Sequence, residues 1–285
     1  MAGTTAASHG EGAGRWIRTA RIVAIGAGLL GLWAAAVAVR RYVVEFQLPD
    51  RGRPLPFTLE SALSYRAIRM IYAGRGLPIV DRDLLVPQGV QTFAEDTVGA
   101  EYVYAALCRL LPGDLTLTDR IRWVNVGWFS LAAPLVALWL RRLTGSWAPG
   151  WVGGALHAVS LAAVIRSTGQ EISHENFALP WAVAHLALIS GPFGRGGREI
   201  ARWLCAALTL AIALATWDLV QYLVALEGVV LLAAWWWEPY GWRDRRARPL
   251  WAIAGGVGLA AVWSPYHRVH GLIVSPAVWP LWATV

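Results

Sequence analysis

The sequence predicts an all-α fold: a polytopic transmembrane helical bundle whose long first loop carries amphipathic helices. Composition points there first, with 56% hydrophobic residues, 18 Trp and only 15% charged residues among 285. Mean hydropathy is +0.46, outside the range of ordinary soluble domains. The second observation is spacing, because the chain repeatedly runs 15 to 19 residues without a charge, which is the length of a bilayer span. The third is that arginines cluster between these runs.

Residues 22–39 are uncharged, preceded by Arg15, Arg18 and Arg21 and followed by Arg40 and Arg41, so a first span is expected over 22–40 after a cytoplasmic tail of 1–21. Ala36-Val37-Ala38 resembles a signal cleavage site, but the apolar core is longer than a usual signal sequence. Residues 41–120 contain no membrane-length run and form a loop. Further spans are expected at 123–140, 147–165 and 176–193. Residues 203–237 would reach about 53 Å as one helix, against a hydrocarbon core of about 30 Å, so they must form a hairpin turning near Trp217-Asp218. A span at 250–265 follows, and another begins near Gly271, making about seven spans in 121–285 with the last one incomplete.

With the N-terminus inside, Arg15, Arg18, Arg21, Arg141, Arg142, Arg195, Arg198, Arg202, Arg243, Arg245, Arg246 and Arg248 share the inner face. The short outer loops keep only Arg166 and Arg268, as orientation by basic residues predicts. The net charge of +7 is thereby explained without a nucleic acid partner, since no basic groove remains. Cys108 and Cys205 follow no metal or redox spacing. In this orientation 13 of the 18 acids lie outside: ten in the first loop, then Glu171, Glu175 and Asp218. Chemistry is therefore expected at the outer face.

Within the loop, residues 61–72 read as a helix with Leu63, Ile68 and Ile71 beside Arg66 and Arg69, ended by Gly74 or Gly76. Glu60 stands at its start, where a carboxylate also suits the helix dipole, so a capping role competes with a chemical one. Asp81-Arg82-Asp83 precedes a Pro87-Gln88-Gly89 turn signal, and residues 97–111 read as a second helix at the membrane surface. Glu227 lies mid-span, as a structural acid or in a pathway, and His157 and His185 read as satisfied bundle residues. His267 and His270 flank Val269 and are weak ligand candidates. Trp235, Trp236 and Trp237 read as an interfacial aromatic belt.

The Glu60, Tyr65, Arg66 spacing resembles the first outer loop of the oligosaccharyltransferase catalytic subunit, a GT-C type membrane glycosyltransferase with a Phe-Asp-Pro-x-x-x-Tyr-Arg-like string. Asp81 stands six residues before Pro87-Gln88-Gly89, as an Asp does before that family's Pro-x-Gly turn. Arg166-Ser167, Gly169 and Glu175 are similar to its Arg-Ser, Gly and Asp-x-Glu run, and Trp217 to an outer Trp. Glu60 replaces an Asp, Ser173 stands at the first acid of Asp-x-Glu, and Ser275-Pro276 lacks the acid of a later motif. Arg268, at the outer face, is a candidate for phosphate contact; the resemblance implies Glu60 and Asp81 as catalytic acids, and Tyr65, Arg66, Arg166 and Trp217 as substrate-binding. It implies Glu60, Glu171 and Glu175 as ligands of a hard divalent cation, Mg2+ or Mn2+. It further implies a polyprenyl-linked sugar donor, a protein or lipid acceptor, surrounding membrane lipids, and a plasma (inner) membrane enzyme whose active face is outside. Another GT-C transferase using a lipid monophosphate sugar, or a lipid-linked sugar flippase centred on Glu227, stays open beside it.

Overall fold

The structure is a computed structural model that describes residues 7–47, 57, 59–168, 171–190, 197–237 and 247–284. The chain is an all-α membrane protein. Among the described residues four stretches are long and apolar enough to cross a bilayer: Trp16–Phe46, Leu117–Thr144, Gly197–Thr216 and Val220–Trp237. The first belongs to α1 (Ala7–Gln47), which continues past the bilayer-length run at both ends. The second is a near-continuous rod of α5 (Leu117–Ser130) and α6 (Ala132–Thr144), broken only at Leu131. Thr116 caps α5 by accepting the Asp119 N–H at 3.2 Å, and Gly145, at φ +74°, closes α6 in the left-handed conformation that glycine favours.

The run expected as a single span over 147–165 divides at Ser160 into α7 (Trp147–Val159) and α8 (Leu161–Arg166). After α9 (His174–Ile189), α10 (Gly197–Thr216) and α11 (Val220–Trp237) form the hairpin, which turns at residues 217–219 where the length argument places it. α12 (Ala247–Trp263) packs on α10, and the short α13 (Pro265–Val269) follows. Beyond Gly271 the backbone makes two 3-10 turns, Leu272–Val274 and Pro276–Val278, and the short α14 (Trp279–Trp282) rather than entering a long helix. Pro276 and Pro280 lack the N–H groups a regular helix would use. This segment tucks against α11, with Gly228 leaving room for Pro280 and Leu281.

Among the described residues two large apolar clusters organise the bundle, beside a small one of Ala36, Ala133 and Ala158. One joins α9 to α12 through Leu210, Leu214, Val224, Ile253 and Val257, with Val278 and Leu281 closing it. The other lies at the loop face, where α2 (Leu59–Tyr72) and α4 (Gly99–Leu110) pack on α5 and on Phe177 of α9. Ile68, Tyr104, Cys108 and Ile121 are buried there, and Phe177 stacks on Trp128 at 4.8 Å and 4°. Both loop helices thus form close to the predicted bounds, but α4 buries one face against the bundle instead of resting free on a membrane surface. A Cβ at Gly99 would overlap the Ala215 carbonyl oxygen, so glycine brings α4 directly onto α10.

Candidate functional site

Where α2 and α4 meet the ends of α8, α9 and the α10–α11 turn, a cavity of about 370 Å³ opens. Its wall includes Arg66, Asp81, Glu95, Asp96, Glu101, Arg166, His174, Glu175, Trp217 and Asp218. Five residues singled out by the sequence, Arg66, Asp81, Arg166, Glu175 and Trp217, therefore share one wall although they span 152 positions.

The Asp81 side of the wall is built by a two-residue antiparallel pair, β1 (Val80–Asp81) with β2 (Val90–Gln91), in which Asp81 faces Val90. Gly89 permits this at φ +78°, where a Cβ would sit 2.8 Å from Val80 Cγ1. Arg66 grips Asp81 bidentately, donating from Nε at 3.1 Å and from one terminal nitrogen at 2.9 Å, and reaches Asp83 at 2.9 Å. The Asp83 N–H adds a further bond to Asp81 at 3.1 Å. These bonds stabilise the Arg66 charge and raise its pKa further. Asp81 is thus held as an anchor of the wall, with both oxygens engaged.

Arg166, also on the cavity, stands at the end of α8. It donates to Glu171 at 3.2 Å and to Glu175 at 2.7 Å, and its carbonyl accepts from Asn176. Glu175 sits in the first turn of α9, where the helix dipole favours a carboxylate, yet its oxygen turns to Arg166. The segment is pinned from both sides. Ser61 accepts the Ile172 N–H at 2.8 Å, which seats the first turn of α2, and with it the Glu60 backbone, against residues 171–173. The Asn125 side chain, itself accepting from the Tyr104 hydroxyl, donates to the Glu171 carbonyl at 3.0 Å.

The Glu60 side chain and Gly169 lie outside the described residues. Tyr65 packs on Phe57, ring centroids 5.0 Å apart, and is not among the cavity residues. Arg268 is exposed on α13 and also stands off the wall. His267 and His270 bond the carbonyls of Leu214 and Ala94, each at 2.8 Å, which is structural use of both rings. In the bundle, Glu227 meets His185 at 3.2 Å while the other ring nitrogen of His185 engages the Ala206 carbonyl at 2.8 Å. Trp236 and Trp237 are highly exposed at the end of α11, the position of an interfacial belt.

Among the described residues no group of three His, Cys, Asp or Glu converges as a metal ligand set. Glu171 and Glu175 share the Arg166 cation, so a divalent ion held by these two would have to displace it, and the third expected ligand, Glu60, has its side chain outside the described residues.

Two features escape sequence reasoning. His174 donates through Nε2 to Glu101 at 2.8 Å and faces Asp96 through Nδ1 at 3.4 Å. Burial opposes the imidazolium, but Glu101 and Asp96 outweigh it, and His174 is raised from 6.5 to about 9. Three separate segments meet there, and no local spacing signals it. The second is Arg40, wholly buried, which donates to Ser167 at 2.7 Å and to the Ala36 and Ala158 carbonyls, tying α1 to the end of α8. Its place beside an apolar run reads in sequence as a membrane-flanking charge.

A second, apolar cavity of about 350 Å³ abuts the first and shares Asp96 and Val98 with it. Comparison of the sequence with protein-family models gives no match, and comparison with curated proteins gives no significant one.

Proposed function

We propose that the protein is an integral membrane glycosyltransferase that moves a sugar from a polyprenyl phosphate or pyrophosphate donor to an acceptor at its outer face. The observation that carries this reading is the assembly of Arg66, Asp81, Arg166, Glu175 and Trp217 around one cavity, at the face where an apolar cavity adjoins it. The resemblance of these positions to motifs of the oligosaccharyltransferase catalytic subunit supports the same chemistry.

In this scheme a carboxylate accepts the acceptor proton as the acceptor lone pair attacks the anomeric carbon. The bond from that carbon to the phosphate oxygen breaks, and the phosphate leaves with the electron pair. Glu60 is assigned the proton, since its backbone lies against the segment that carries Glu175. Arg166, half-exposed, is assigned the leaving phosphate, with Arg66 as a second cation on the same cavity. Each arginine holds two carboxylates, so a phosphate must displace one of them to gain its full contact.

The test is reconstitution of the full chain in liposomes with a radiolabelled sugar on polyprenyl pyrophosphate and a panel of peptide, hydroxyl and lipid acceptors. Label is expected to leave the donor, and Glu60→Gln or Arg166→Met is expected to slow this at least about tenfold. A donor that stays intact yet crosses the bilayer, with movement lost in Glu227→Gln, would overturn the transferase reading in favour of a flippase.

A further inference from the structure

At the junction of the two cavities stands a group of acids for which sugar transfer has no use. Asp96 and Glu101 flank the single imidazole of His174, and Asp218 is near enough to act on its charge while accepting the Tyr266 hydroxyl at 3.3 Å. Three carboxylates around one imidazolium leave an excess of negative charge. The rest of the wall does not correct it, because Arg66 and Arg166 are each matched by two carboxylates of their own.

Glu101 supplies an independent observation. It is only 4% exposed and lines the cavity, yet its Oε2 has no hydrogen-bond partner among the described residues. A buried carboxylate oxygen left in that state is costly, and a donor arriving with a ligand would remove the cost. The hydroxyls of Thr92 and Ser173, on the same wall, are buried and unpartnered too. On the other side of Asp96 the apolar cavity is lined by Phe93, Tyr102, Ile212 and Trp263. The Asp96 side chain, 61% exposed, is the threshold between them.

We propose that this junction binds a lipid carrying a protonated amine, the ammonium on Glu101 and Asp96 and the hydrocarbon chain in the apolar cavity, as the acceptor substrate. The inference rests on the reading of the polar cavity as a transfer site. An ammonium brings three donors on one centre, which suits the unpartnered Glu101 Oε2 together with the exposed Asp96 carboxylate. A divalent ion needs several oxygens converging at ligand distance, and no such group exists among the described residues. An anionic headgroup would meet like charge, and a neutral one would leave the excess unbalanced.

Equilibrium binding of sphinganine and of N-acetylsphinganine to the full chain in detergent micelles tests this, because the two differ only at the amine. Sphinganine is expected to bind at least about tenfold tighter, equivalent to about 1.4 kcal/mol, with the preference lost in Glu101→Gln. Asp218→Asn, at a partly exposed turn, is expected to weaken the same preference and serves if the buried substitution fails to fold. Equal affinities, a preference that survives both substitutions, or displacement of sphinganine by Mg2+ alone would each overturn the proposal. An amine preference without any sugar transfer would sink the transferase reading and the acceptor role while leaving the binding site. Transfer without the preference would remove only the inference.

Discussion

Replacing Arg66 with alanine is expected to cost the loop face about 3–5 kcal/mol and to release the β1–β2 hairpin. The Asp81 side chain is 10% exposed and takes both strong bonds of its bidentate pair from this one guanidinium, so the substitution strands a nearly buried carboxylate. What remains is the Asp83 N–H, a single neutral donor. Asp83 itself is largely exposed and loses little. Thermal melting and limited proteolysis at residues 82–89 measure the effect. The asymmetry between breaking a buried pair and removing it whole supplies a second arm: Arg66→Ala combined with Asp81→Asn should recover part of the loss. A single variant that melts within about 1 °C of the parent and gains no cleavage site would contradict the anchoring role.

That pair also shows which parts of the site can be read from the chain. Arg66 and Asp81 are visible separately, one on a helical apolar pattern and one before a turn, because local periodicity and turn chemistry are written in a few adjacent residues. The helices over 59–72 and 99–110 follow from the same local rules, and the turn at Trp217 from the length of the apolar run against the bilayer thickness. Their mutual bond, however, depends on how the loop folds back across 15 positions. The His174 cluster is further out of reach, since Glu101 precedes His174 by 73 positions and Asp218 follows on another helix pair. Arg40 misleads for a different reason: beside an apolar run a buried and a membrane-flanking arginine look alike, and only the partners Ser167 and Ala158 distinguish them. The segment after Gly271 does carry a local signal, in Pro276 and Pro280, which apolar composition alone outweighs.

The loop face is expected to lose stability between pH 6.5 and about 9, through His174. Its pKa in the fold is raised above its ordinary 6.5, so the stabilisation is complete below that value and is lost as pH rises through about 9. The size is on the order of 3–4 kcal/mol, because each tenfold gain in proton affinity on folding is worth about 1.4 kcal/mol. Glu101, Asp96 and Asp218 face the imidazole from α4, the turn before it and the α10–α11 turn, and Tyr266 reaches Asp218 from α13. Once the imidazole is neutral, the three carboxylates have no counter-charge and repel one another. Deprotonation therefore removes the charge assistance of the Glu101 bond and the attraction to Asp96, and loosens the junction between the cavities in the same step. Melting temperature across this window is the measurement, with His174→Gln as the control in which the decline should flatten because the neutral amide has no proton to lose. A decline that is as steep in His174→Gln as in the parent would assign it to other groups and remove His174 as the charge that holds the acid cluster together.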